Sequence, residues 1–310
     1  MKRKVIQLAG KTLVVSLPNK WAKKYGVKKG DDIHVEEEEH KLVVKIDEAG
    51  IGGINKRVLD VKDLYIMLNR TGGALYKAGY DEVEIIYHSP EQYAILRDLL
   101  NYTCMGFEIM KHDKRTITIK NLSDLHSQEF DNIMRRLFLT LLSSVDDALE
   151  FMKRGDLKGM EEIVLRDANV NKFCDMCRRI LNVRGHGVLK KTTTYYHISE
   201  ELGRIGDAYA DLMGFMVKND VKKADEDIIN LMVDLNKYLR DFYELFYQFD
   251  LKGLENFGEK SRKIRDVIEK RLDSTAKASS NRTMIMINNY FFRIYLLIFN
   301  MNGALITANI

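Results

Sequence analysis

The spacing of hydrophobic and polar residues changes twice along the chain and divides it into three regions. Residues 1–47 contain short apolar–polar alternations separated by glycine turns, which predict two β-hairpins around one short helix. Residues 48–122 mix strand-like and helix-like patterns. In residues 123–310, apolar residues recur every three or four positions, which is typical of amphipathic helices in a bundle. The predicted fold class is α+β, with a small β domain, an α/β connector and a helical domain.

The first region has the order strand, strand, helix, strand, strand. Pro18 opens the helix, because the missing N–H of proline would have no hydrogen-bond partner in a first helical turn. Gly26 ends the helix, and Gly30 begins another turn. The predicted elements are strands Val5–Leu8 and Thr12–Leu17, helix Asn19–Tyr25, and strands Ile33–Glu37 and Leu42–Ile46.

Four short stretches of this region follow one another in a recognisable order: Gly10–Thr12, Val14–Pro18, Trp21–Ala22 and Gly26–Asp31. Together they resemble the AbrB/SpoVT family of swapped-hairpin DNA-binding domains. The resemblance implies an interleaved homodimer that binds duplex DNA. A segment of this size buries too little apolar surface to be stable alone, so we expect a second copy to complete the sheet.

Charge is distributed unevenly in the first region. Nine basic residues precede Asp31 and no acidic residue does, whereas Glu36–Glu39 lie together in the second hairpin. A basic N-terminal part and an acidic second hairpin suit a domain that binds phosphate on one face. A solvated helix face with a basic tail would produce the same composition. The residues predicted to bind DNA are Arg3, Lys4, Lys11, Thr12, Lys20, Lys23 and Lys24.

The second region is predicted to be a small α/β connector that spaces the first domain from the helical domain. Glycines between Glu48 and Asn55 indicate a linker. No residue pattern in this region indicates chemistry. The predicted elements are helix Val58–Ala78, strand Glu82–Tyr87, a helix from Ser89 to Cys104, and hairpin strands Phe107–Lys111 and Thr116–Lys120.

The third region is predicted to contain six helices in two tandem repeats, residues 123–219 and 220–310. Asp156–Met160 recurs as Asp250–Leu254 at an offset of 94 residues, and each copy opens a helix. The predicted helix breaks fall at Gly155-Asp156, Arg184–Gly187, Asn219-Asp220, Phe249-Asp250 and about Ser274–Asn281.

Two acidic stretches in this region carry a second resemblance. Leu202–Asp211 reads LGRIGDAYAD, and Asp167–Asn171 with Phe173 lies in the preceding helix. Two tandem three-helix units with these stretches resemble the PhoU family. With the first region they resemble the archaeal phosphate uptake regulator architecture. The resemblance implies a role in phosphate uptake and a metal held by carboxylates of the bundle helices.

The spacing of these acids also favours a metal site. Side chains four residues apart share one helix face, so oxygen ligands from two neighbouring helices can converge on Fe, Zn, Mn or Mg. Asp175 extends the stripe on the first of the two helices. The predicted metal ligands are Asp167, Asn171, Glu200, Asp207 and Asp211.

The alternative is a solvated acidic face, because Gly203 and Asn171 stand where the PhoU signature has acids. At an offset of 94, Asp207 corresponds to Met301 and Asp211 to Leu305, while Asp167 and Asn171 correspond to Ser261 and Arg265. A metal site would therefore belong to the first repeat only.

Composition excludes several classes of protein. The net charge of +4 is small, so a nucleic-acid signal is local. The three cysteines, Cys104, Cys174 and Cys177, form no disulfide framework and favour a reducing cytoplasm. No secretory signal pattern is expected at the N-terminus. The apolar stretch from Thr283 to Ile310 is interrupted by asparagines and Arg293, which favours a helix buried inside a bundle or at an oligomer interface over membrane insertion.

These patterns predict a cytoplasmic, homodimeric transcriptional regulator of phosphate uptake that binds duplex DNA. The alternative is a PhoU-like adaptor that contacts a phosphate transporter or signalling protein and uses its first domain to dimerise. An enzyme is not expected, because no nucleophile–base arrangement is present in the sequence.

Overall fold

The computed structural model describes residues 1–8, 10–38, 41–46, 55–123, 129–277 and 282–310. The chain divides into two compact units, Met1–Asn55 and Lys56–Ile310. The linker predicted before Asn55 lies outside the described residues. Part of the last predicted helix break, residues 278–281, does too.

The first unit confirms the predicted order of elements. Strands β1 and β2 form one antiparallel hairpin and strands β3 and β4 form another, with helix α1 between them in sequence. The elements are β1 (Ile6–Leu8), β2 (Thr12–Val14), α1 (Asn19–Lys24), β3 (Ile33–Glu38) and β4 (Lys41–Ile46).

Glycine and proline determine the turns of the first unit. Gly10 has a φ of 81° between β1 and β2, and its carbonyl accepts a hydrogen bond from Gln7 Nε2 at 2.8 Å. Pro18 precedes α1 with extended backbone angles, as predicted. Gly26 has a φ of 68° and follows the C-terminus of α1, where a left-handed conformation ends a helix.

None of the described side chains in the first unit is buried. Leu13 and Leu42 are each 69% exposed, and Val5 is 64% exposed. Among its described residues, the unit therefore presents exposed apolar side chains on both hairpins and has no core.

The second unit begins with an α/β region. Its sheet has the order β5-β6-β8-β7, in which β5 and β6 are parallel and the other neighbours are antiparallel. The elements are β5 (Lys56–Asp60), α2 (Leu68–Lys77), β6 (Glu82–Ile86), α3 (Pro90–Tyr102), β7 (Phe107–His112) and β8 (Thr116–Asn121).

The prediction of one helix over residues 58–78 is wrong. The segment begins as β5, whose pairing with β6 is a contact between residues distant in sequence, and only its second half forms α2. The glycine pair inside α2 has a packing role. A Cβ atom at Gly72 would lie 2.1 Å from Leu99 Cδ2, so glycine allows α2 to lie directly against α3. The other predicted elements of this region are confirmed.

Six helices follow, and their bounds confirm the predicted breaks within the described residues. They are α4 (Phe130–Arg154), α5 (Leu157–Arg184), α6 (Leu189–Lys218), α7 (Glu226–Tyr247), α8 (Leu251–Lys277) and α9 (Arg282–Asn309). One hydrophobic cluster joins all six helices, and a separate cluster fills the α/β region.

The packing of the helices repeats. Within each set of three, the first helix packs on the second and the third, and the second packs on the third. Between the sets, α4 packs on α7 and α6 packs on α9, so equivalent helices meet. Asp156 and Asp250 accept hydrogen bonds from the backbone of Gly159 and Gly253, so both copies of the repeated segment cap a helix.

The offset of 94 residues does not hold for the last helix. Buried Ile163 and Val170 of α5 correspond to buried Phe257 and Ile264 of α8 at that offset. The buried residues of α9 instead match those of α6 at an offset of 93: Thr194/Ile287, Ile198/Phe291, Leu202/Tyr295, Ile205/Ile298, Ala208/Met301 and Leu212/Leu305. Asp207 and Asp211 therefore correspond to Asn300 and Ala304, not to Met301 and Leu305 as predicted.

The α/β region is docked on α5 and is more than the spacer that the sequence predicted. Arg179 of α5 is buried, and its guanidinium donates to the backbone carbonyls of Tyr76 and Tyr80 at 2.6 and 3.0 Å. It also donates to Asp81 Oδ1 at 3.0 Å and lies over the ring of Phe107. A buried arginine whose donors are used in this way holds two structural layers together.

Helix α9 is long and apolar enough to cross a membrane by length and composition, and 39% of its apolar window is buried inside the protein. Its buried side chains, among them Phe291, Ile294 and Ile298, belong to the same cluster as those of α6 and α7. These side chains pack α9 against α6 and α7.

Candidate functional sites

The predicted DNA-binding side chains all lie at the surface of the first unit. Arg3 and Lys4 precede β1, Lys11 and Thr12 lie at the turn into β2, and the remaining three are in α1. The exposed side chains are Arg3, Lys4, Lys11, Thr12, Lys20, Lys23 and Lys24. Exposed ammonium and guanidinium groups are available to pair with phosphate oxygens.

Helix α1 places its lysines close together. Lys20, Lys23 and Lys24 are three and four residues apart, so they share one side of the helix. Lys24 Nζ lies 5.0 Å from the centre of the Tyr25 ring, and the rings of Trp21 and Tyr25 are 5.6 Å apart. Half-buried aromatic rings beneath an exposed basic row give the helix an apolar side and a cationic side.

A second candidate site is formed by polar side chains between α5 and α6. We call it the acidic stripe: Asp167, Asn171 and Asp175 of α5, with Glu200, Asp207 and Asp211 of α6. The spacings of four in α5 and of seven and four in α6 place each set on one helix face, as predicted.

The structure brings together three of the five predicted metal ligands. Asn171 Nδ2 donates to Asp167 Oδ2 at 2.7 Å and to Asp207 Oδ1 at 3.2 Å. The second oxygen of Asp167, Oδ1, is buried and accepts no hydrogen bond from the described residues. Burial, followed by the charges of Asp207 and then Asp211, raises the pKa of Asp167 to about 7. A proton on Asp167 relieves the repulsion between the two carboxylates.

The other two predicted ligands are engaged elsewhere. Asp211 accepts a hydrogen bond from Arg293 Nη1 at 2.7 Å, and Glu200 pairs with Arg178 and Arg204. Among the described residues, no three histidine, cysteine or acidic side chains are grouped as metal ligands. Arg178 and Arg204 were not singled out from the sequence, because basic residues at helical spacing also occur on any solvated helix face.

The three cysteines are buried and free. Burial raises the pKa of Cys104 and of Cys174 to about 12 in each case, so neither thiol is a ready nucleophile. Cys174 Sγ instead donates to the carbonyl of Ser199 at 2.9 Å.

Comparison with known proteins identifies the first unit. Residues 6–46 match the family described as antidote-toxin recognition MazE, bacterial antitoxin. The comparison with curated proteins found no match, and neither did the comparison with solved structures. The matched segment contains both hairpins and α1, so the chain carries a MazE/AbrB-type swapped-hairpin domain at its N-terminus. Such domains typically bind DNA and dimerise, which is consistent with a DNA-binding regulator.

Proposed function

We propose that this protein is a dimeric transcriptional regulator that acts in the cytoplasm without catalysing a reaction. Its first unit binds duplex DNA, and its helical domain senses a signal or docks a partner. One observation carries the proposal: in the unit that contains the MazE-type match, residues 1–30 include nine basic and no acidic residues, and no apolar side chain of either hairpin is buried among the described residues. A second copy supplies the missing core, and the basic residues of both copies then serve one duplex.

Within this proposal the basic residues have different roles. Lys11 and Thr12 lie at the tip of the first hairpin, where a loop can approach a groove. Arg3 and Lys4 and the lysines of α1 contact phosphates, which position the domain without reading sequence. If about six phosphates are neutralised, the logarithm of the association constant falls against the logarithm of salt concentration with a slope of roughly −5.

The finer proposal is that the helical domain is PhoU-like and that the regulated process is phosphate uptake. Two observations support it. The six helices form two sets with the same internal packing, and the acidic residues of the LGRIGDAYAD stretch lie on the face of α6 that meets α5. The alternative is a PhoU-like adaptor that contacts a phosphate transporter or signalling protein, with the first unit serving dimerisation alone.

Binding of the full chain to labelled duplex DNA separates the two proposals. Lys11→Glu is expected to weaken binding at least tenfold, because it reverses a charge at the hairpin tip. Lys158→Glu makes the same charge change on an exposed position of α5 and serves as the control, with little expected effect. A dimer in solution that binds no DNA, or binding that does not depend on salt, would exclude the regulator and favour the adaptor.

A further inference from the structure

Arg178 of α5 occupies one end of the acidic stripe. Its Nη1 donates to Asp175 Oδ1 and its Nη2 to Glu200 Oε2, each at 3.3 Å. The guanidinium also lies over the ring of Tyr196, 4.9 Å from the ring centre. One side chain of the protein thus bridges a carboxylate of α5 and a carboxylate of α6, which is what a bridging metal ion does in a carboxylate site.

Three further cations reach the stripe from three different helices. Lys77 of α2 pairs with Asp175 at 2.9 Å, Arg204 of α6 pairs with Glu200 at 2.8 Å, and Arg293 of α9 pairs with Asp211 at 2.7 Å. Each acid of the stripe other than Asp167 and Asp207 therefore has a basic partner within the chain.

Asn171 completes the stripe between the two remaining acids. Its amide nitrogen lies within hydrogen-bond distance of Asp167 and Asp207. An amide nitrogen of this kind donates hydrogen bonds and does not bind metal ions, whereas the carbonyl oxygen of the same side chain could do so. A hydrogen-bond donor, the amide nitrogen of Asn171, therefore occupies the position between the carboxylates of Asp167 and Asp207.

The two helices also approach each other closely at two glycines of α6, Gly203 and Gly206. A Cβ atom at Gly203 would lie 2.9 Å from Cys174 Sγ, and one at Gly206 would lie 2.7 Å from Asp167 Oδ1. A glutamate at Gly203, where the PhoU signature has one, would require the Cys174 side chain to move. The residues present therefore do not fit a multi-carboxylate metal cluster.

We propose that the acidic stripe is neutralised by the chain itself, with Arg178 and Asn171 in the two bridging positions between α5 and α6 that a metal would need. We call the acidic stripe together with its basic partners the charge lock, because these ion pairs join α2, α5, α6 and α9. Acids paired in this way are costly to separate, because removing one partner leaves a partly buried charge uncompensated.

The first test measures metal and stability on the same protein. The full chain, purified without chelator, is analysed for bound Fe, Zn, Mn and Mg, and its thermal midpoint is recorded with and without EDTA and added Mn²⁺. The proposal requires less than stoichiometric metal and the same midpoint in all conditions. Stoichiometric metal that EDTA removes, with a fall in the midpoint, overturns it.

The second test compares two arginines of α5 that each hold two carboxylates. Arg178→Gln is expected to lower the thermal midpoint by roughly 5 °C, because Asp175 and Glu200 lose a shared partner in a partly buried site. Arg166→Gln removes the partner of exposed Asp147 and Glu162, and a shift of about 1 °C is expected. Equal shifts in the two variants would contradict the charge lock.

Asn171→Asp provides a gain-of-binding control for the first test. It replaces the bridging amide by a third carboxylate between Asp167 and Asp207. The variant is expected to be less stable than the wild type and to regain its midpoint when Mn²⁺ is added. A wild-type protein stabilised by Mn²⁺ as strongly as the variant would overturn the proposal.

Discussion

The two compact units differ in how much apolar surface each can bury by itself. The first unit has no buried side chain among its described residues, and Leu13 remains 69% exposed. The second unit has two hydrophobic clusters, in which Leu137 and Leu141 are completely buried. Because apolar burial is the main favourable term in folding, the second unit can carry its own stability, and the proposed dimer would supply the burial that the first unit lacks.

This difference explains why the two units also differ in surface chemistry. The first unit leaves its basic side chains exposed and open to an external anion, while the second pairs many of its charges internally, as in the acidic stripe. The unit with no buried side chain among its described residues thus also carries the groups suited to an external ligand.

The largest expected effect comes from truncating a core residue in the second unit. Phe138 is fully buried and lies against Phe246 and Tyr243, with ring centres 5.1 and 5.3 Å apart. Phe138→Ala is expected to lower the free energy of unfolding by about 3–5 kcal/mol. Urea denaturation followed by circular dichroism should show the same loss at every protein concentration.

Leu13→Ala in the first unit is the matched contrast. It should act on dimer dissociation, by about 1–3 kcal/mol if the partner copy covers the side chain. Analytical ultracentrifugation measures that change directly. A Leu13→Ala effect that is independent of protein concentration would show that the first unit has a core without a second copy.

An intermediate effect is expected from pH. The folded-state pKa of Asp167 is raised from 3.8 to about 7, so its protonated form is favoured in the folded protein. The sign follows from linkage: this stabilisation is complete below about pH 4 and is lost as pH rises through about 7. Between pH 5 and 8 the wild type should lose on the order of 2 kcal/mol relative to Asp167→Asn, after discounting for partial exposure.

Urea denaturation of both proteins at pH 5, 6, 7 and 8 measures this difference. Asp147→Asn is a control, since it makes the same change in an exposed ion pair with Arg166. Parallel stability curves for the wild type and Asp167→Asn would refute the assignment of the raised pKa.

The smallest expected effect concerns the repeated helix caps. Asp156 Oδ1 accepts from the backbone N–H of Gly159 at 3.0 Å, and Asp250 Oδ1 from that of Gly253 at 2.8 Å. Asp156→Ala and Asp250→Ala should each cost about 1 kcal/mol, and the corresponding Asn variants much less. Clearly unequal losses would show that the two copies of the segment are not equivalent in stability.

Much of the secondary structure could be predicted from local sequence. The turns at Gly10 and Gly26, the caps at Ser89 and Asp156, and the six long helices all depend on residues near one another in the chain. Strand β5 could not be predicted, because it is held by hydrogen bonds to β6 more than twenty residues away. Local patterning carries no information on such a partner.

Of the two candidate sites, one could be predicted from local sequence and the other could not. The exposure of the basic residues in the first unit followed from charge and spacing alone. The pairing of the acidic stripe with basic side chains could not be predicted in this way, because its partners Lys77 and Arg293 come from α2 and α9. A spacing of four residues places two acids on one face but does not show which cation reaches that face.

The sequence by itself determined the order of elements in the first unit, the breaks between the six long helices, and that the first unit is basic and too small to bury a core. It did so because turn chemistry, periodicity and net charge are local properties. The tertiary structure alone decided that the α/β region is docked through Arg179 and that α9 follows α6 at an offset of 93. It also decided that Asp175, Glu200 and Asp211 of the acidic stripe are paired with basic side chains. These features depend on how closely elements approach after folding, and glycines such as Gly72, Gly203 and Gly206 control that distance.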